Sequence, residues 1–367
     1  MKKVVFTGGG SGGHIFPLIA VAREMRVLER DIKLIYIGPI TQSDKIFLEG
    51  EGFEICPIFS GKLRRYFSLE NIVDFFKIPI GFVQSFSILF VKSPDIIFSK
   101  GGFGSVPVVL AGWFLRIPII IHESDAVPGL SNRFLSPFSK KILVSFPKTQ
   151  YFPLKKMEYI GNPIRKEILN GSREEAINKF ELIGGRPILL ILGGSQGAKP
   201  INDKIISFLP NLIKEKVEII HQVGERNYKD YKKELEANYP GESMKYYHLL
   251  DFLQENDLAD ALAASDLIIN RSGSGSIFEI AAAGKPSILI PLPKSAQNHQ
   301  LRNAYVYAQE GATVVIEEEN LSLNLFIKTL EHLFSYPNKL EIMSQQAKKF
   351  SKIDAAKKVA EIILKMS

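Results

Sequence analysis

A histidine follows a glycine-rich loop near the start of the chain. Residues 8–14 read GGGSGGH, so that five glycines and one serine precede His14. Glycine lets the backbone turn sharply and lets a ligand approach it, and imidazole has an unperturbed pKa close to neutrality. This combination could hold a phosphate on backbone N–H groups and accept a proton beside it. A tight turn without a ligand, with His14 as a hydrogen-bonded structural residue, is the alternative.

The residues around this loop predict a strand before it and a helix after it. An apolar, partly β-branched run predicts a buried strand over 3–7, and the apolar residues after the loop have helical spacing. The first turn of a helix offers unpaired N–H groups and the positive end of the dipole, which suits phosphate. Gly8, Gly10 and Gly13 also fit the dinucleotide fingerprint. However, the predicted second strand, 33–37, ends without a carboxylate to hold a ribose, so we expect no nicotinamide or other cofactor.

A second loop rich in serine and glycine lies in the other half of the chain. Residues 270–286 read NRSGSGSIFEIAAAGKP, which predicts a loop after a strand over 266–270 and a helix from about Ser276. Ser276 and Glu279 have capping-box spacing, which is a structural role. In the functional interpretation, the loop N–H groups and Ser276 hold a phosphate while Glu279 accepts ribose hydroxyls. The two interpretations stay open and can coexist in part.

Further polar residues follow other predicted strands. The segment 121–129, IHESDAVPG, contains three titratable side chains, and 100–107, KGGFGSVP, forms a third glycine loop. The segment 295–304 supplies amide and imidazole groups suited to sugar hydroxyls. Because ligands of parallel sheets bind at the carboxyl ends of the strands, these loops predict a cleft between two domains. The side chains are His122, Glu123, Asp125, Asn298, His299, Gln300 and Asn303.

The chain length of 367 residues predicts two domains. Strands alternate with amphipathic stretches, which predicts an α/β fold of two Rossmann-like, doubly wound domains facing a cleft. A turn cluster, GNP, places the division between a domain over 1–162 and a domain over 163–343. A lysine-rich helical stretch over about 344–367 could pack back on the first domain. Strands are predicted over 3–7, 33–37, 54–58, 95–98, 118–121, 142–145, 187–192, 217–222, 245–249, 266–270 and 286–290.

The positive charge is concentrated in the first half. Of the formal net charge of +7, residues 1–162 carry 20 Lys and Arg against 13 Asp and Glu, and the remainder carries 26 of each. Such asymmetry favours a nucleic acid, an anionic membrane or an anionic substrate as partner. No nucleic-acid-binding motif accompanies it, so we expect no nucleic acid. The single cysteine excludes an intramolecular disulfide, and the sequence shows neither a zinc cluster nor a signal-peptide pattern.

Taken together, the motifs resemble those of one family. TGGGSGGHIFP, KGGFGSVP, HESDAVPG, GNPIR, GGSQGA and NRSGSGSIFEIAAAGKP followed by NHQLRNA occur in this order between residues 7 and 304. This series resembles that of the bacterial undecaprenyl-diphospho-muramoylpentapeptide β-N-acetylglucosaminyltransferases, which convert lipid I to lipid II in peptidoglycan synthesis. The resemblance implies a glycosyltransferase-B fold that binds UDP-GlcNAc mainly through its second domain.

The resemblance also implies a set of substrate-binding residues. Two positions depart from the family's HEQN motif, which reads HESD here, because Ser124 replaces glutamine and Asp125 replaces asparagine. A carboxylate at position 125 would repel a diphosphate unless it is paired or protonated. The implied residues are Ser11, Gly12, Gly13, Asp125, Arg165, Ser195, Leu253, Ser274, Gly275, Ser276, Ile277, Phe278, Glu279 and Gln300.

The implied reaction is a direct displacement with inversion at the anomeric carbon. The muramoyl 4-hydroxyl attacks N-acetylglucosamine and UDP leaves, so the enzyme needs a base and stabilisation of the diphosphate. The sequence has no D-x-D pair to hold a metal, and loop N–H groups, helix dipoles and Arg165 could act instead. We therefore expect metal-independent chemistry. His14 is the favoured base and Glu123 the second candidate, with His122 orienting the site.

An apolar stretch over 72–91 raises the question of a membrane. Its length would allow a span, but Asp, Lys, Pro, Gly and Gln residues interrupt it. We expect helices partly exposed on the first domain, which would bind anionic lipid peripherally at the cytoplasmic face without crossing it. Plain core packing against the sheet is the alternative. The residues expected to contact lipid are Lys62, Arg64, Arg65, Phe82 and Phe86.

Three other functions compete with this one. A glycolipid synthase of the same fold would glycosylate diacylglycerol. A nucleotide-sugar epimerase shares the architecture but needs no lipid-facing surface. A non-enzymatic membrane-binding module would leave the repeated glycine loops, Glu279 and Gln300 without a role.

Overall fold

The chain folds into two units, each built on one parallel sheet. The first unit comprises Met1–Arg165 with Lys352–Ser367, and the second comprises Lys166–Ser351. The sequence placed these divisions at 162/163 and near 343. The computed structural model describes residues 1–9, 12–61, 69–194, 197–239 and 242–367.

The first unit has a seven-stranded sheet. Its strands are β1 (Lys2–Thr7), β2 (Ile32–Gly38), β3 (Glu54–Pro57), β4 (Ile96–Ser99), β5 (Ile119–Glu123), β6 (Lys141–Val144) and β7 (Met157–Tyr159). Its helices are α1 (Gly12–Leu28), α2 (Gln42–Gly50), α3 (Leu69–Lys92), α4 (Val106–Phe114), α5 (Leu130–Leu135) and, from the chain end, α14 (Ala355–Met366). The strand order β3-β2-β1-β4-β5-β6-β7 makes β1 and β4 neighbours. Because the chain moves outward from β1 and then returns to its other side, the topological switch point lies between these two strands.

Successive residues of β1 face opposite sides of this sheet. Val4 and Phe6 pack with residues of α1 and α14, whereas Val5 packs with residues of α3 and α4. Because helices cover both faces, the central strands carry apolar side chains at every position. The same two-sided packing predicts that the carboxyl ends of β1 and β4 are held rigidly.

The second unit has a six-stranded sheet. Its strands are β8 (Ile188–Leu192), β9 (Glu218–Gln222), β10 (Tyr247–Leu250), β11 (Leu267–Asn270), β12 (Ser287–Leu289) and β13 (Thr313–Val315). Its helices are α6 (Arg173–Lys179), α7 (Lys199–Lys214), α8 (Glu225–Asn238), α9 (Glu255–Ala264), α10 (Ser274–Ala282), α11 (His299–Gln309), α12 (Leu323–Ser335) and α13 (Pro337–Phe350). The order β10-β9-β8-β11-β12-β13 places the switch point between β8 and β11. Leu189 and Ile191 pack on one face with α7, and Leu190 and Leu192 pack on the other with α6 and α9.

The lysine-rich stretch at the end of the chain is two helices, not one. The helix α13 belongs to the second unit, and α14 belongs to the first. Val359, Ala360 and Ile363 of α14 are buried in the same cluster as residues of α1. The helix α14 thus buries its apolar stripe against the first unit, although it follows the second unit in the sequence.

Residues 72–91 lie within the single long helix α3. Across the described residues, none of the helices combines the length and the apolar character that a bilayer span requires. Lys62, Arg64 and Arg65 lie outside the described residues.

Candidate functional site

Two glycine loops meet at the switch point of the first unit. Gly102, in the loop after β4, has a φ of +80°, a conformation that favours glycine. A Cβ added there would lie 3.0 Å from Gly9 Cα and 3.4 Å from His14 Nε2. The loop after β1 and the loop after β4 therefore pack backbone to backbone, with the imidazole of His14 beside them.

His14 lies in the first turn of α1 and is half-buried. Enclosure of the ring, and then the charge of Lys100, lower its pKa to about 4, while Asp125 and Asp44 oppose this shift. The ring is therefore neutral near pH 7. A neutral imidazole can accept a proton, which is what the predicted base requires.

The sequence did not single out Lys100, which is buried beside this histidine. Its Nζ lies 2.6 Å from His122 Nδ1, 2.5 Å from Ser124 Oγ and 2.8 Å from Asn162 Oδ1. Burial lowers the pKa of Lys100 to about 7, and the charges of Glu123 and Asp125 oppose this. The sequence feature that could have indicated a site residue here is a lysine at the end of a central strand, where side chains from several strands converge.

Glu123, the second candidate base, is buried and holds the loop that follows it. Its Oε1 accepts a hydrogen bond from Asp125 N (3.0 Å), and its Oε2 accepts from Gly129 N (3.1 Å) and Asn132 Nδ2 (2.9 Å). Burial, and then the charge of Asp125, raise its pKa to about 7, and these hydrogen bonds oppose the shift. Both oxygens are thus engaged in holding residues 124–129, a structural role that the sequence did not reveal.

The remaining implied residues of the first unit lie near the start of α1. The guanidinium of Arg165 stacks 4.3 Å from the ring centroid of Phe16, and Asp125 is half-buried. Gly12 is the first residue of α1, and a Cβ added to Gly13 would have no described atom within 4 Å. Ser11 lies outside the described residues.

At the switch point of the second unit, α10 begins two residues earlier than predicted. The helix starts at Ser274, and Gly273 is its N-cap, with φ −64° and ψ 138°. Ser276 therefore lies inside the first turn, and the predicted capping box of Ser276 with Glu279 is wrong. The backbone N–H groups of Ser274, Gly275 and Ser276 are those that lack an intrahelical partner by helix geometry, so they are placed to bind an anion.

The implied substrate-binding residues near this helix N-terminus differ in burial. Ile277, Phe278 and Leu253 are buried, and the Phe278 ring lies 5.0 Å from that of Phe350. The N–H of Ile277 already bonds to Gly273 O (3.1 Å). The side chain of Glu279, by contrast, is half-buried. Ser195 lies outside the described residues.

The segment that follows β12 makes hydrogen bonds with the loop before α10. Gln300 Oε1 accepts from Leu292 N (3.0 Å), and Ser272 Oγ donates to the backbone oxygen of Gln300 (2.8 Å). Asn303 is buried and its Nδ2 donates to Ser272 O (3.2 Å). Asn303 therefore holds the loop before α10 through its amide.

In the parts of the chain that the structure describes, no three His, Cys, Asp or Glu side chains are grouped so that they could hold a metal ion.

Both units thus present glycine-rich loops and a helix N-terminus at the switch point of a parallel sheet. This is the architecture of glycosyltransferase-B-type proteins. Residues 4–144 match the glycosyltransferase family 28 N-terminal domain, and residues 188–359 match the family 28 C-terminal domain.

Relatives that match over nearly their full length identify a particular family within the family 28 glycosyltransferases. The UDP-N-acetylglucosamine–N-acetylmuramyl-(pentapeptide) pyrophosphoryl-undecaprenol N-acetylglucosamine transferase of Clostridium botulinum (strain 657) is 40% identical, over 100% of this chain and 99% of its own length. The second such transferase of Bacillus cereus (strain ATCC 14579) is 40% identical over 91% of this chain and 92% of its own. The chain belongs to this family of N-acetylglucosamine transferases.

Solved structures agree with this placement. MurG of Acinetobacter baumannii is similar with a TM-score of 0.77 and 25% identity, over 100% of both chains. A UDP-GlcNAc 2-epimerase from Neisseria meningitidis is similar with a TM-score of 0.69 and 16% identity over 100% of both chains, which shows the shared fold alone.

Proposed function

We propose that the protein transfers N-acetylglucosamine from UDP-GlcNAc to the muramoyl 4-hydroxyl of undecaprenyl-diphospho-muramoylpentapeptide, releasing UDP with inversion at the anomeric carbon. The observation that carries this is the 40% identity, over the whole chain, to relatives named for this transfer. The donor UDP-GlcNAc and the acceptor lipid I are its substrates.

The two switch points have separate parts in this reaction. The N–H groups at the start of α10 bind the diphosphate of the donor, and Glu279, one turn further on, accepts hydrogen bonds from ribose hydroxyls. Gln300, beside the same loop, adds an amide. In the first unit, neutral His14 takes the proton from the attacking hydroxyl, and Arg165 adds positive charge against the departing diphosphate.

The acceptor is lipid-linked, and an exposed apolar surface of the first unit suits it. Phe82 and Phe86 of α3, which the sequence predicted to contact lipid, are half-buried and pack on the core, so the exposed part of this surface is formed by other residues. The Phe86 ring continues this packing to Phe90 at 6.3 Å and to Phe114 of α4 at 5.8 Å. Phe90, Phe114 and Trp113 are 68%, 66% and 53% exposed, which is unusual for such large side chains.

We name these exposed side chains the apolar face. Its members lie on α3, α4 and α5, which pack in series. Together with the positive charge of residues 1–162, the apolar face supports peripheral binding to anionic lipid on the cytoplasmic side of the membrane. The members are Ile80, Val83, Phe90, Val91, Trp113, Phe114 and Phe134.

A transfer assay tests the function directly. Radiolabelled UDP-GlcNAc is supplied with lipid I, with diacylglycerol as a competing acceptor, and the labelled products are separated. We expect label in lipid II and none in the glycolipid. Label in diacylglycerol alone would identify a glycolipid synthase, and epimerised sugar nucleotide without transfer would identify an epimerase.

A further inference from the structure

Lys100 directly follows β4 and joins three segments of the first unit. Its three contacts are with His122 at the end of β5, with Ser124 in the next loop and with Asn162 in the turn after β7. An ammonium group has three donors and no acceptor, so these three acceptors satisfy it fully. We propose that Lys100 is a positioning residue for the transfer, which fixes the loop after β5 and supplies the charge that offsets Asp125. This inference rests on the proposed function.

The contact with His122 sets the protonation of that ring. His122 Nε2 lies 3.0 Å from Gly161 O. Since a carbonyl can only accept, Nε2 carries the hydrogen and Nδ1 accepts from Lys100. Burial, and then the charge of Lys100, hold the pKa of His122 well below its usual range, so the ring is neutral and keeps one tautomer. Lys100 therefore fixes two loops through one imidazole.

The charge of Lys100 has an electrostatic role as well. A buried ammonium group is costly unless nearby anions offset it. The carboxylates of Glu123 and Asp125 favour its charged form. In return, the ammonium form, which predominates below the pKa of about 7, offsets the negative charge that Asp125 would otherwise present to an anionic diphosphate. The charges of Lys100 and Asp125 thus lower the free-energy cost of placing each other near the substrate.

The same two charges act on His14 in opposite directions. Lys100 lowers the pKa of His14 and Asp125 raises it. Removing the lysine charge should therefore raise the pKa of the predicted base, and removing the aspartate charge should lower it. Among the described residues, the titratable groups that bear on these two include Asp44 on α2, and His122, Glu123 and Asp125 at the end of β5 and in the loop after it.

The test is a double-mutant cycle on lipid II formation. Lys100→Met, close in shape but uncharged, should lower kcat/KM by roughly 10- to 100-fold, the scale of losing hydrogen bonds to a charged group. Adding Asp125→Asn should restore at least several-fold of this loss, because the uncompensated carboxylate is gone. If the fold loss of kcat/KM in the double variant equals the product of the losses in the two single variants, the charges of Lys100 and Asp125 do not offset each other, and the inference is wrong.

The pH profile separates a positioning role from simple stabilisation. We expect the acidic limb of kcat/KM to move to higher pH in Lys100→Met and to lower pH in Asp125→Asn. Lys3→Met is the matched control, because Lys3 Nζ also makes a hydrogen bond, to Lys92 O (2.9 Å), but at the opposite end of the sheet. This variant should leave the acidic limb in place. Limbs that stay fixed in both test variants would contradict the inference.

A second variant covers the case in which Lys100→Met does not fold. Lys100→Arg keeps the charge, but its planar donors do not match three acceptors around one nitrogen. It should keep the acidic limb of the native protein and lose at least fivefold in kcat/KM. A fully active Lys100→Arg would remove the positioning role. An inactive native protein would instead reject the proposed function, so the two failures are distinguishable.

Discussion

The two switch points have the same backbone design and very different side chains. In the first unit, ionisable groups crowd the strand ends: His14, Lys100, His122 and Glu123 all have shifted pKa values. In the second unit, α10 begins with Ser-Gly-Ser, and a Cβ added to Gly275 would meet no described atom within 4 Å. Burying ionisable groups costs free energy, so this cluster makes the first unit the candidate site of proton transfer. The open backbone of the second unit is suited to holding a ligand.

The same division is visible in charge and surface. Residues 1–162, which form most of the first unit, carry the whole net charge of +7, and the apolar face lies on helices of the same unit. This division predicts that substitutions in the first unit change the rate of transfer and lipid binding, whereas substitutions in the second unit change the affinity for the donor.

The largest effect is expected at His14. His14→Ala should lower kcat by 10²–10⁴-fold, the usual contribution of a general base, and should leave the Kd for UDP-GlcNAc nearly unchanged by calorimetry. Because its pKa is lowered to about 4, the base is already deprotonated near neutrality. In the native protein, the loss of rate that this histidine causes should therefore begin only as the pH falls towards 4.

Glu123→Gln is the control for the competing assignment. The amide can accept on one atom only, so the loop over residues 124–129 loses at least one hydrogen bond, and the melting temperature should fall with the rate. A mild effect of His14→Ala together with a severe, purely kinetic effect of Glu123→Gln would transfer the role of base to Glu123.

The sequence predicted the strands of both sheets more completely than it predicted the contacts around the candidate site. All eleven predicted strands are present, because strands covered on both faces need continuous apolar runs. The strands β7 and β13 were missed, since three residues at a sheet edge are too short to show a pattern. The start of α10 was misplaced because the S-x-x-E spacing imitates a capping box, whereas the chain takes Gly273 as its N-cap.

The site contacts depend on residues far apart in the chain. Lys100 meets His122 and Asn162, which are 22 and 62 positions away, so no local pattern could predict its burial. Glu123 has the residue type of a base, but only the fold shows that three donors occupy its oxygens. Residue type therefore directed attention to these positions, and only the tertiary contacts show which of their polar atoms are already hydrogen-bonded.

The next largest effect concerns membrane binding by the first unit. Replacing Lys62, Arg64 and Arg65 by glutamine should weaken binding to anionic vesicles by very roughly 3 kcal/mol at low salt, at about 1 kcal/mol for each residue. Trp113→Ser should weaken it by roughly tenfold without salt dependence, because the lost term is apolar. Co-sedimentation with anionic and neutral vesicles across salt concentrations measures both.

Phe82→Ser is the matched comparison for the apolar face. Phe82 is half-buried and packs on the core, so its loss should lower the melting temperature more than it lowers vesicle binding. If Trp113→Ser and the three glutamines leave binding unchanged, lipid I must be reached through some other surface.

A smaller effect is expected in the second unit. Glu279→Ala should weaken UDP-GlcNAc binding by about 1–3 kcal/mol, the scale of hydrogen bonds to charged groups, with kcat much less affected. Because Gly273 caps α10, neither this variant nor Ser276→Ala should cost the 0.5–2 kcal/mol of stability, roughly, that loss of an N-cap brings. Calorimetry with a thermal melt would reject the ribose role if affinity is unchanged in a folded variant.

The smallest effect, none at all, is expected from chelation. If the helix N-terminus of α10 stabilises the diphosphate through backbone N–H groups and its dipole, and Arg165 adds charge, the departing UDP needs no divalent cation. Initial rates of lipid II formation should then be equal with and without excess EDTA. A rate that collapses on chelation and returns with magnesium or manganese would show that the charge on UDP is neutralised by metal. The backbone N–H groups of the second unit would then be insufficient to stabilise the departing diphosphate. Donor binding by that unit would require a metal ion in addition to the protein groups.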